Sequence, residues 1–258
     1  MNHLRGLQNM GNTCSFNAVL QLFLRCDAAV RIIRERADRS DPFFLFLEAY
    51  EDKTRPCDAT VILAMFHARG LFLERAQHDA HEIFLFLLDV FFEKYGSIRD
   101  MFLVRTKTCF RPSEIRHEEN TILTLPWSKS FDESVSLFET QSRVDGWFDG
   151  KKLSIDVETR VSGWPAYLVV HLSRYDARMN KITEPIDVPV AFRDYVFVGA
   201  IVHHGTLQYG HYTSIIRGEN RIFVCDDDNV RCAEHEPLAK IVDQAYLLLY
   251  RKNNVDHL

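Results

Sequence analysis

The pattern of apolar and polar positions divides the chain into a helical first part and a strand-rich second part. The polar, glycine-punctuated stretch 6–15 runs straight into the apolar segment 16–24, which predicts a buried helix. A charged, arginine-rich helix is predicted at 28–37, and apolar residues recur at helical spacing at 43–50 and 57–67. We therefore expect a largely helical region before residue 100.

A longer helix is predicted from Asp79, which precedes an apolar run that continues to Phe92. Glu82, three residues after Asp79, completes a start that resembles a capping box. Two interpretations of Asp79 remain open. As the N-cap of this helix it needs no further role, whereas as an acidic residue at the rim of a cleft it would hold a basic peptide.

The second half of the chain is predicted to be mostly β-strand. Residues 101–165 alternate short β-like pieces with polar turns. Strands are predicted at 167–172, 195–203, 213–216, 221–225 and 245–250, with a hairpin turn at 218–220. Helices followed by antiparallel strands indicate an α+β fold with a cleft between the two parts.

Composition narrows the class of protein. The 258 residues are 47% hydrophobic and 26% charged, as expected for a globular domain with a sizeable core. No apolar run reaches the roughly 18 to 20 residues of a membrane span, and residues 1–12 contain no signal region. Six cysteines without paired spacing indicate a reducing compartment, the cytoplasm or the nucleus. The net charge of -5 disfavours nucleic acid as a partner and suits a basic one.

Cys14 is a candidate nucleophile because it lies in the first turn of the first predicted helix. Unpaired N–H groups and the helix dipole favour a thiolate there. Asn9 and Asn12 place amide donors near the sulfur, where an oxyanion would need them. An arbitrary cysteine at such a position is more often a buried residue beside a helix cap, so the assignment depends on a base elsewhere.

His211 and Asp226 supply a candidate base and its partner. His211 follows Gly210 at the start of a predicted strand, although most single histidines are packed or surface residues. Asp226 begins an acidic turn, 226–229, one hairpin later, and antiparallel strands can bring a carboxylate against an imidazole. The same turn could be merely solvated; a calcium loop is excluded because the bidentate Glu is missing. Cysteine, histidine and aspartate occur in this order in papain-like cysteine hydrolases.

Together these segments resemble the ubiquitin-specific protease family over Gly6 to Arg251. Residues 6–21 resemble the family's Cys box, GLxNLGNTCxxNxxLQ, in nearly every position. The other matches are 77–84 with the QQDAHEF segment, 123–126 with the LxLP strand, His203, Gly205 and 210–212 with the His box, and 245–250 with the closing aYxLxY strand.

The resemblance implies a catalytic role for each matched position. Cys14 would be the nucleophile, His211 the general base and Asp226 the residue that orients the base. Asn9 would provide the oxyanion-hole side chain. Asp227 would assist as the neighbour of Asp226.

Further roles follow in the same way. Asn12 would assist Asn9 near the oxyanion. The substrate-binding positions implied are Gln77, Asp79, Gly210 and Tyr212. Asp79 matches the acidic residue that contacts the basic C-terminal tail of ubiquitin, and Gly210 would let a substrate backbone pass close by.

The resemblance also implies the architecture and the reaction. A single catalytic domain should form a papain-like hand, with a helical thumb at about 1–100, short β fingers at about 101–165 and an antiparallel β palm at about 166–258. It should hydrolyse the isopeptide or peptide bond after the C-terminal glycine of ubiquitin, with ubiquitin and ubiquitinated proteins as partners and no cofactor. Many members bind zinc through two CxxC pairs in the fingers. Here the stretches 109–112 and 147–150 retain one cysteine, and since zinc needs four ligands we predict no metal.

Two alternatives remain open. Short fingers are compatible with a protease of a ubiquitin-like modifier. A catalytically weak, ubiquitin-binding pseudoenzyme is disfavoured by the intact Cys14, His211 and Asp226. Acyltransferases with the same order of residues do not predict the segment 77–84.

Overall fold

The first part of the chain is a helical thumb. The structure, a computed structural model, describes residues 4–54, 56–73, 76–110, 114–148, 151–206 and 209–253. The helices in the thumb are α1 (Cys14–Phe23), α2 (Asp27–Arg36), α3 (Pro42–Glu51), α4 (Thr60–His67) and α5 (Ala80–Lys94), followed by a 3₁₀ helix at Gly96–Met101. The helices predicted from apolar spacing are confirmed, with ends that differ by a few residues.

Side-chain caps explain where two of these helices begin. The Asp41 carboxylate accepts hydrogen bonds from the backbone N–H groups of Phe43 and Phe44, and Pro42 occupies the first turn of α3. Asp79 caps α5 in the same way. Every residue of α1 is buried, so α1 is the central helix of the molecule.

Aromatic rings fill the space between the thumb helices. The Phe91 ring lies 4.8 Å from both the Phe23 and the Phe43 rings, and the Phe102 ring lies 6.3 Å from Phe23. Each of these four side chains is almost completely buried. Because aromatic side chains contribute large apolar areas, this cluster anchors α3 and α5 to α1.

The remainder of the described chain forms two sheets and two short helices, α6 (Phe131–Phe138) and α7 (Leu238–Ile241). The strands are β1 (Val104–Phe110), β2 (Glu114–Asn120), β3 (Leu123–Pro126), β4 (Gln141–Phe148), β5 (Lys151–Gly163), β6 (Tyr167–Ser173), β7 (Ala191–Phe192), β8 (Tyr195–Gly205), β9 (Gly210–Arg217), β10 (Ile222–Asp226), β11 (Asn229–Cys232) and β12 (Ala245–Lys252). The fingers are a four-stranded sheet in the order β2-β1-β5-β4, and the palm is an eight-stranded sheet.

The palm sheet has the order β11-β10-β9-β8-β12-β6-β3, with β7 pairing on β8. The predicted hairpin is present, since β9 and β10 pair in antiparallel register and the Gly218 N–H donates to the Arg221 carbonyl at 2.8 Å. Helix α1 lies against β8, β9 and β10. The predicted α+β fold, with its thumb, palm and fingers, is confirmed.

The region 101–165 differs from its prediction as a run of short β pieces. It contains a helix, α6, and one strand of 13 residues, β5. Strand β3 does not join the fingers but pairs with β6 in the palm, and it does so in parallel. The side chains of Leu123 and Leu125, which alternate along β3, are buried in the palm core. This burial explains why β3 pairs in the palm sheet and not in the fingers.

Of the helices that the structure describes, none is both long and apolar enough to cross a bilayer.

A buried arginine ties the end of β6 to the segments around it. The Arg174 side chain is fully buried, and its guanidinium donates to the carbonyls of Ala245 (2.6 Å), Asp243 (2.6 Å), Glu184 (2.9 Å) and Ile182 (3.1 Å). Burial lowers the pKa of Arg174 to about 10, so the group stays charged at neutral pH.

We predict that Arg174→Met lowers the free energy of unfolding by on the order of 3 kcal/mol, because the buried carbonyls lose charged donors. Urea denaturation of the wild type and the variant measures this loss. Arg160→Met, at an exposed position on β5, is the control. Equal stabilities of the two variants would contradict the role assigned to Arg174.

Candidate active site

Cys14 is the first residue of α1, and its side chain is only 4% exposed. The preceding residue, Thr13, makes no side-chain cap of the helix. Its hydroxyl instead accepts a hydrogen bond from the Met10 N–H at 2.9 Å. The turn before the helix is therefore closed on itself, and the sulfur lies at a helix N-terminus as the sequence predicts.

Asn9 organises this turn. Its Oδ1 accepts from the backbone N–H groups of Gly11 (2.9 Å) and Thr13 (3.2 Å), while its Nδ2 donates to Asp227 Oδ2 (2.8 Å). Gly11 and Asn12 have positive φ angles of 95° and 56°, which the tight turn requires. An amide nitrogen carries two hydrogens, so one Nδ2 hydrogen of Asn9 is used by Asp227 and the second remains for another acceptor.

Asp227 joins the turn before α1 to the turn between β10 and β11. Its Oδ1 accepts from Asn17 Nδ2 (2.8 Å), and its carbonyl accepts from the Leu7 N–H (2.8 Å). Gly6 approaches the neighbouring strand turn so closely that a Cβ there would lie 2.0 Å from the Asp228 carbonyl oxygen. The glycine is therefore required by this contact.

Asn17 is a structural member of the site that sequence analysis missed. It lies one helical turn after Cys14, and its Nδ2 also donates to the carbonyl of Leu7 at 3.1 Å. The signal was present, because Asn17 is one of three polar residues, with Ser15 and Gln21, in a helix that the sequence predicts to be buried. A buried amide in such a position needs partners, and its Nδ2 finds them in the turn before α1 and in Asp227, which is distant in sequence.

His211 and Asp226 are brought together by the pairing of β9 with β10. His211 Nε2 lies 2.6 Å from Asp226 Oδ1, and the two side chains are 42% and 48% exposed. An ionised carboxylate only accepts hydrogen bonds, so Nε2 carries the proton and Nδ1 retains a lone pair. The arrangement can therefore supply a general base whose tautomer is set by its partner.

Gln77 connects the thumb and palm halves of the site. Its Nε2 lies 3.5 Å from the Cys14 sulfur, and its Oε1 accepts from the Gly210 N–H at 2.9 Å. Nε2 also donates to the Gly210 carbonyl. Cys14 and His211, both described by the structure, are not hydrogen-bonded to each other. Gln77 instead places the sulfur next to the residue that precedes His211.

Asp79 caps α5 and reaches the palm at the same time. Its Oδ1 accepts from the His81 and Glu82 N–H groups, and its Oδ2 accepts from the Tyr246 hydroxyl at 2.6 Å. The capping interpretation of Asp79 is thus confirmed. Because this hydrogen bond to Tyr246 crosses from α5 to β12, Asp79 also lies where thumb and palm meet.

Tyr212 is less accessible than its predicted substrate-binding role suggests. Its side chain is 5% exposed, and its ring stacks on His203 at 4.4 Å between centroids. Burial lowers the pKa of His203 to about 4, so this imidazole is neutral at neutral pH. The buried His203–Tyr212 pair therefore lies beside His211, the residue before Tyr212 on β9.

Three side chains of the site lie close enough together to be considered as metal ligands. Ligand atoms of His211, Asp226 and Asp227 lie within 4.8 Å of one another. All three are already engaged, since His211 is paired with Asp226 and both oxygens of Asp227 accept amide donors. The prediction that the fingers bind no metal concerns stretches that include residues 111, 112, 149 and 150, which lie outside the described residues.

Two histidines stack across the thumb–palm boundary and were not singled out from the sequence. The rings of His81 on α5 and His171 on β6 are 4.3 Å apart and within 12° of parallel. The Tyr246 ring meets His171 edge-on at 4.8 Å. Burial, with the nearby His81, lowers the pKa of His171 to about 3, and burial also lowers the pKa of His81.

We predict that His171 makes the fold acid-sensitive. The unfolded chain binds a proton at this histidine below about pH 6.5, whereas the folded chain keeps it neutral down to about pH 3. His171 therefore contributes nothing above pH 6.5 and favours unfolding as the pH falls toward 3. His171→Phe, which retains the stacked ring, should lose about 2 kcal/mol less unfolding free energy between pH 7 and pH 5 than the wild type.

Urea denaturation at the two pH values measures this difference, with the exposed substitution His117→Phe on β2 as the matched control. If wild type and His171→Phe lost equal stability on acidification, the burial of a neutral His171 would be disproved.

The sequence is similar to those of known proteins. Human Ubl carboxyl-terminal hydrolase 18 is 23% identical over 320 residues, covering 96% of this chain and 85% of the relative. Probable ubiquitin carboxyl-terminal hydrolase 8 of Schizosaccharomyces pombe is 22% identical and covers 98% of this chain and 66% of the relative. Both relatives match along almost the whole chain.

A solved structure has the same fold. It is the SAGA DUB module, Ubp8 with Sgf11, Sus1 and Sgf73, bound to monoubiquitin, and it matches with a TM-score of 0.80 at 18% identity. The match covers 98% of this chain and 70% of that one. The sequence model of one family, described as ubiquitin carboxyl-terminal hydrolase, matches residues 5–250. The segments that hold Cys14, His211 and Asp226 all lie within that match, and the chain belongs to the ubiquitin carboxyl-terminal hydrolase family.

Proposed function

We propose that this protein is a thiol-dependent hydrolase that cleaves the isopeptide or peptide bond after the C-terminal glycine of ubiquitin. One observation carries the proposal. Gln77 contacts both the Cys14 sulfur at the start of α1 and Gly210, the residue before His211 on β9. His211 is in turn paired with Asp226 on the neighbouring strand β10. Family membership supports the reaction, and this geometry supports the groups to which we assign it.

The chemistry follows from the roles of these groups. The Cys14 sulfur attacks the carbonyl carbon of the substrate's last glycine, and His211 Nδ1 takes up the thiol proton. The tetrahedral intermediate collapses when His211 returns that proton to the departing lysine amine, leaving a thioester. Water, deprotonated by His211, then attacks the thioester and releases the glycine carboxylate and the thiol.

Stabilisation of the oxyanion is assigned to Asn9 and to backbone N–H groups at the start of α1. The second Nδ2 hydrogen of Asn9 is the one that would meet the oxyanion, because Asp227 occupies the first. Asn12 lies in the same turn and would assist. Asp226 holds the Nε2 proton of His211, and Asp227 holds Asn9 in place.

The substrate tail would enter where Gln77 now lies. The Gln77 carboxamide pairs with both the N–H and the carbonyl of Gly210, which is the pattern that an extended peptide uses on a strand edge. An incoming tail would take over these contacts with Gly210, and the freed Gln77 carboxamide would then bind the tail. Asp79 would attract the basic side chains of the tail, and Tyr212 would support the strand from behind.

The partners proposed are ubiquitin and ubiquitinated proteins, without nucleic acid or membrane. The structural relative bound to monoubiquitin supports ubiquitin, and the net charge of -5 supports a basic protein partner. All six cysteines are free thiols, which supports a location in the cytoplasm or the nucleus.

A ubiquitin-like modifier is the second candidate substrate. Relatives named Ubl carboxyl-terminal hydrolase 18, from human and Pongo abelii, match 96% of this chain. The chemistry is the same for either modifier, since only the globular body bound by palm and fingers differs.

We predict that wild-type protein cleaves a ubiquitin amide reporter and that Cys14→Ala does not, because no other group can replace the nucleophile. Cys109→Ala, in the fingers, is the matched control and should retain activity. Labelling by electrophilic probes built on ubiquitin and on its relatives identifies the preferred modifier. Equal turnover by wild type and Cys14→Ala, or ubiquitin binding without probe labelling, would overturn the proposed activity.

We also predict that Asp227→Ala lowers kcat by about tenfold or more while KM changes little, because Asn9 loses the partner that orients it. Asp228→Ala, which removes the neighbouring exposed carboxylate, is the matched control. Steady-state kinetics on the same reporter separates the two variants. An Asp227→Ala enzyme with the wild-type kcat would show that Asn9 needs no such support.

A further inference from the structure

We propose that Tyr246 is a positioning residue, which aims the Asp79 carboxylate at a basic side chain of the substrate tail. This role rests on the proposed function, in which Asp79 meets the tail, and Tyr246 acts only through Asp79. Neither the family match nor the sequence pattern gives Tyr246 a role of its own.

Tyr246 links the palm to the start of a thumb helix. It is the second residue of β12, and its side chain is 4% exposed. Its hydroxyl donates to Asp79 Oδ2 at 2.6 Å, and Asp79 is the N-cap of α5. Burial, with the nearby charge of Asp79, raises the pKa of Tyr246, so the hydroxyl keeps its proton and remains a donor.

The hydrogen bond from Tyr246 fixes the direction in which the Asp79 carboxylate faces. Oδ1 accepts from the N–H groups of His81 (2.6 Å) and Glu82 (3.4 Å), which holds one oxygen. The carboxylate can still turn about its Cβ–Cγ bond, because χ2 of aspartate has broad minima. Tyr246 fixes the second oxygen and therefore the plane of the group. A carboxylate oxygen accepts about two hydrogen bonds, so Oδ2 can bind one further donor.

The Tyr246 ring is itself held in place by packing. It meets the His171 ring edge-on at 4.8 Å between centroids, and the His203 ring lies 6.1 Å away. His171 in turn stacks at 4.3 Å on His81, which is two residues after Asp79 on α5. Asp79, Tyr246, His171 and His81 thus form a closed circuit of contacts between thumb and palm.

The charge of Asp79 is available to a substrate. In the described part of the chain no cation pairs with this partly exposed carboxylate. Gln77, two residues earlier, contacts Gly210, where we place the substrate backbone. Two residues span at most about 7 Å, so a side chain of that backbone can reach Asp79. A guanidinium or ammonium group is the donor that a fixed carboxylate binds most strongly.

Titration of the full chain with free ubiquitin tests this role without turnover, because free ubiquitin has no bond left to cleave. Tyr246→Phe removes the hydroxyl and keeps the ring, and we expect it to weaken ubiquitin binding about tenfold. Tyr250→Phe is the matched control on β12, since it removes a buried hydroxyl that donates to the Pro189 carbonyl at 3.0 Å. This control should bind as the wild type does. Unchanged or tighter binding by Tyr246→Phe would overturn the proposal.

A ubiquitin whose basic tail side chains are replaced by alanine separates positioning from a general structural role. This replacement should weaken binding to the wild type. It should weaken binding to Tyr246→Phe about fivefold less, because a misdirected Asp79 gains less from the basic side chains. Equal losses would show that Tyr246 only holds thumb and palm together, and the positioning role would be refuted. Circular dichroism and thermal unfolding verify that the variants are folded.

Kinetics on the ubiquitin amide reporter distinguish failure of this role from failure of the proposed function. Tyr246→Phe should raise KM and leave kcat nearly unchanged, because Cys14 and His211 are untouched. A fall in kcat with the wild-type KM would contradict the role. A wild-type protein that binds ubiquitin without turnover would refute the hydrolase and leave the binding test of Tyr246 valid. A wild-type protein that does not bind ubiquitin would refute both.

Discussion

The contact between the turn before α1 and the β10–β11 turn is the constraint on which the site depends. Asp227 has a positive φ of 50° and binds the thumb through its backbone carbonyl and both carboxylate oxygens. Gly6 permits the approach and Asn17 completes it. Since Asp226 is adjacent to Asp227, the same turn fixes the partner of His211 relative to the helix that carries Cys14. The proposed nucleophile and base are thus positioned through one shared junction.

Contacts of this kind also fix side chains beyond Cys14, His211 and Asp226. Asn9 is held at both ends of its amide, and Gln77 occupies the gap between Cys14 and Gly210. Several polar groups that face the cleft are therefore hydrogen-bonded within the protein. A substrate that enters the cleft must replace the hydrogen bonds that it breaks. An extended peptide backbone is favoured over other ligands because it offers both N–H donors and carbonyl acceptors.

Much of the fold was predictable because local signals agreed with the tertiary structure. The apolar run after Cys14 and the capping aspartate at 79 located two helices, and the Gly218 turn located a hairpin. Helix α6 and the transfer of β3 to the palm were not predicted, because a piece as short as 123–126 acquires its partner only through packing. In the site, the residue types near Cys14 and His211 were sufficient to identify these two residues as candidates. The Asn17 and Gln77 contacts, and the His81–His171 stack, depend on distances between segments that no local pattern records.

The position of β12 in the palm sheet has a consequence for biosynthesis. This strand, Ala245–Lys252, lies between β8 and β6, and its first residues also receive the Arg174 guanidinium. While a ribosome is still translating the segment before β12, both neighbouring strands expose unpaired edges and their apolar faces lack a partner. The nascent polypeptide must be protected from aggregation during that interval, and the hydrolase can mature only after β12 has left the exit tunnel.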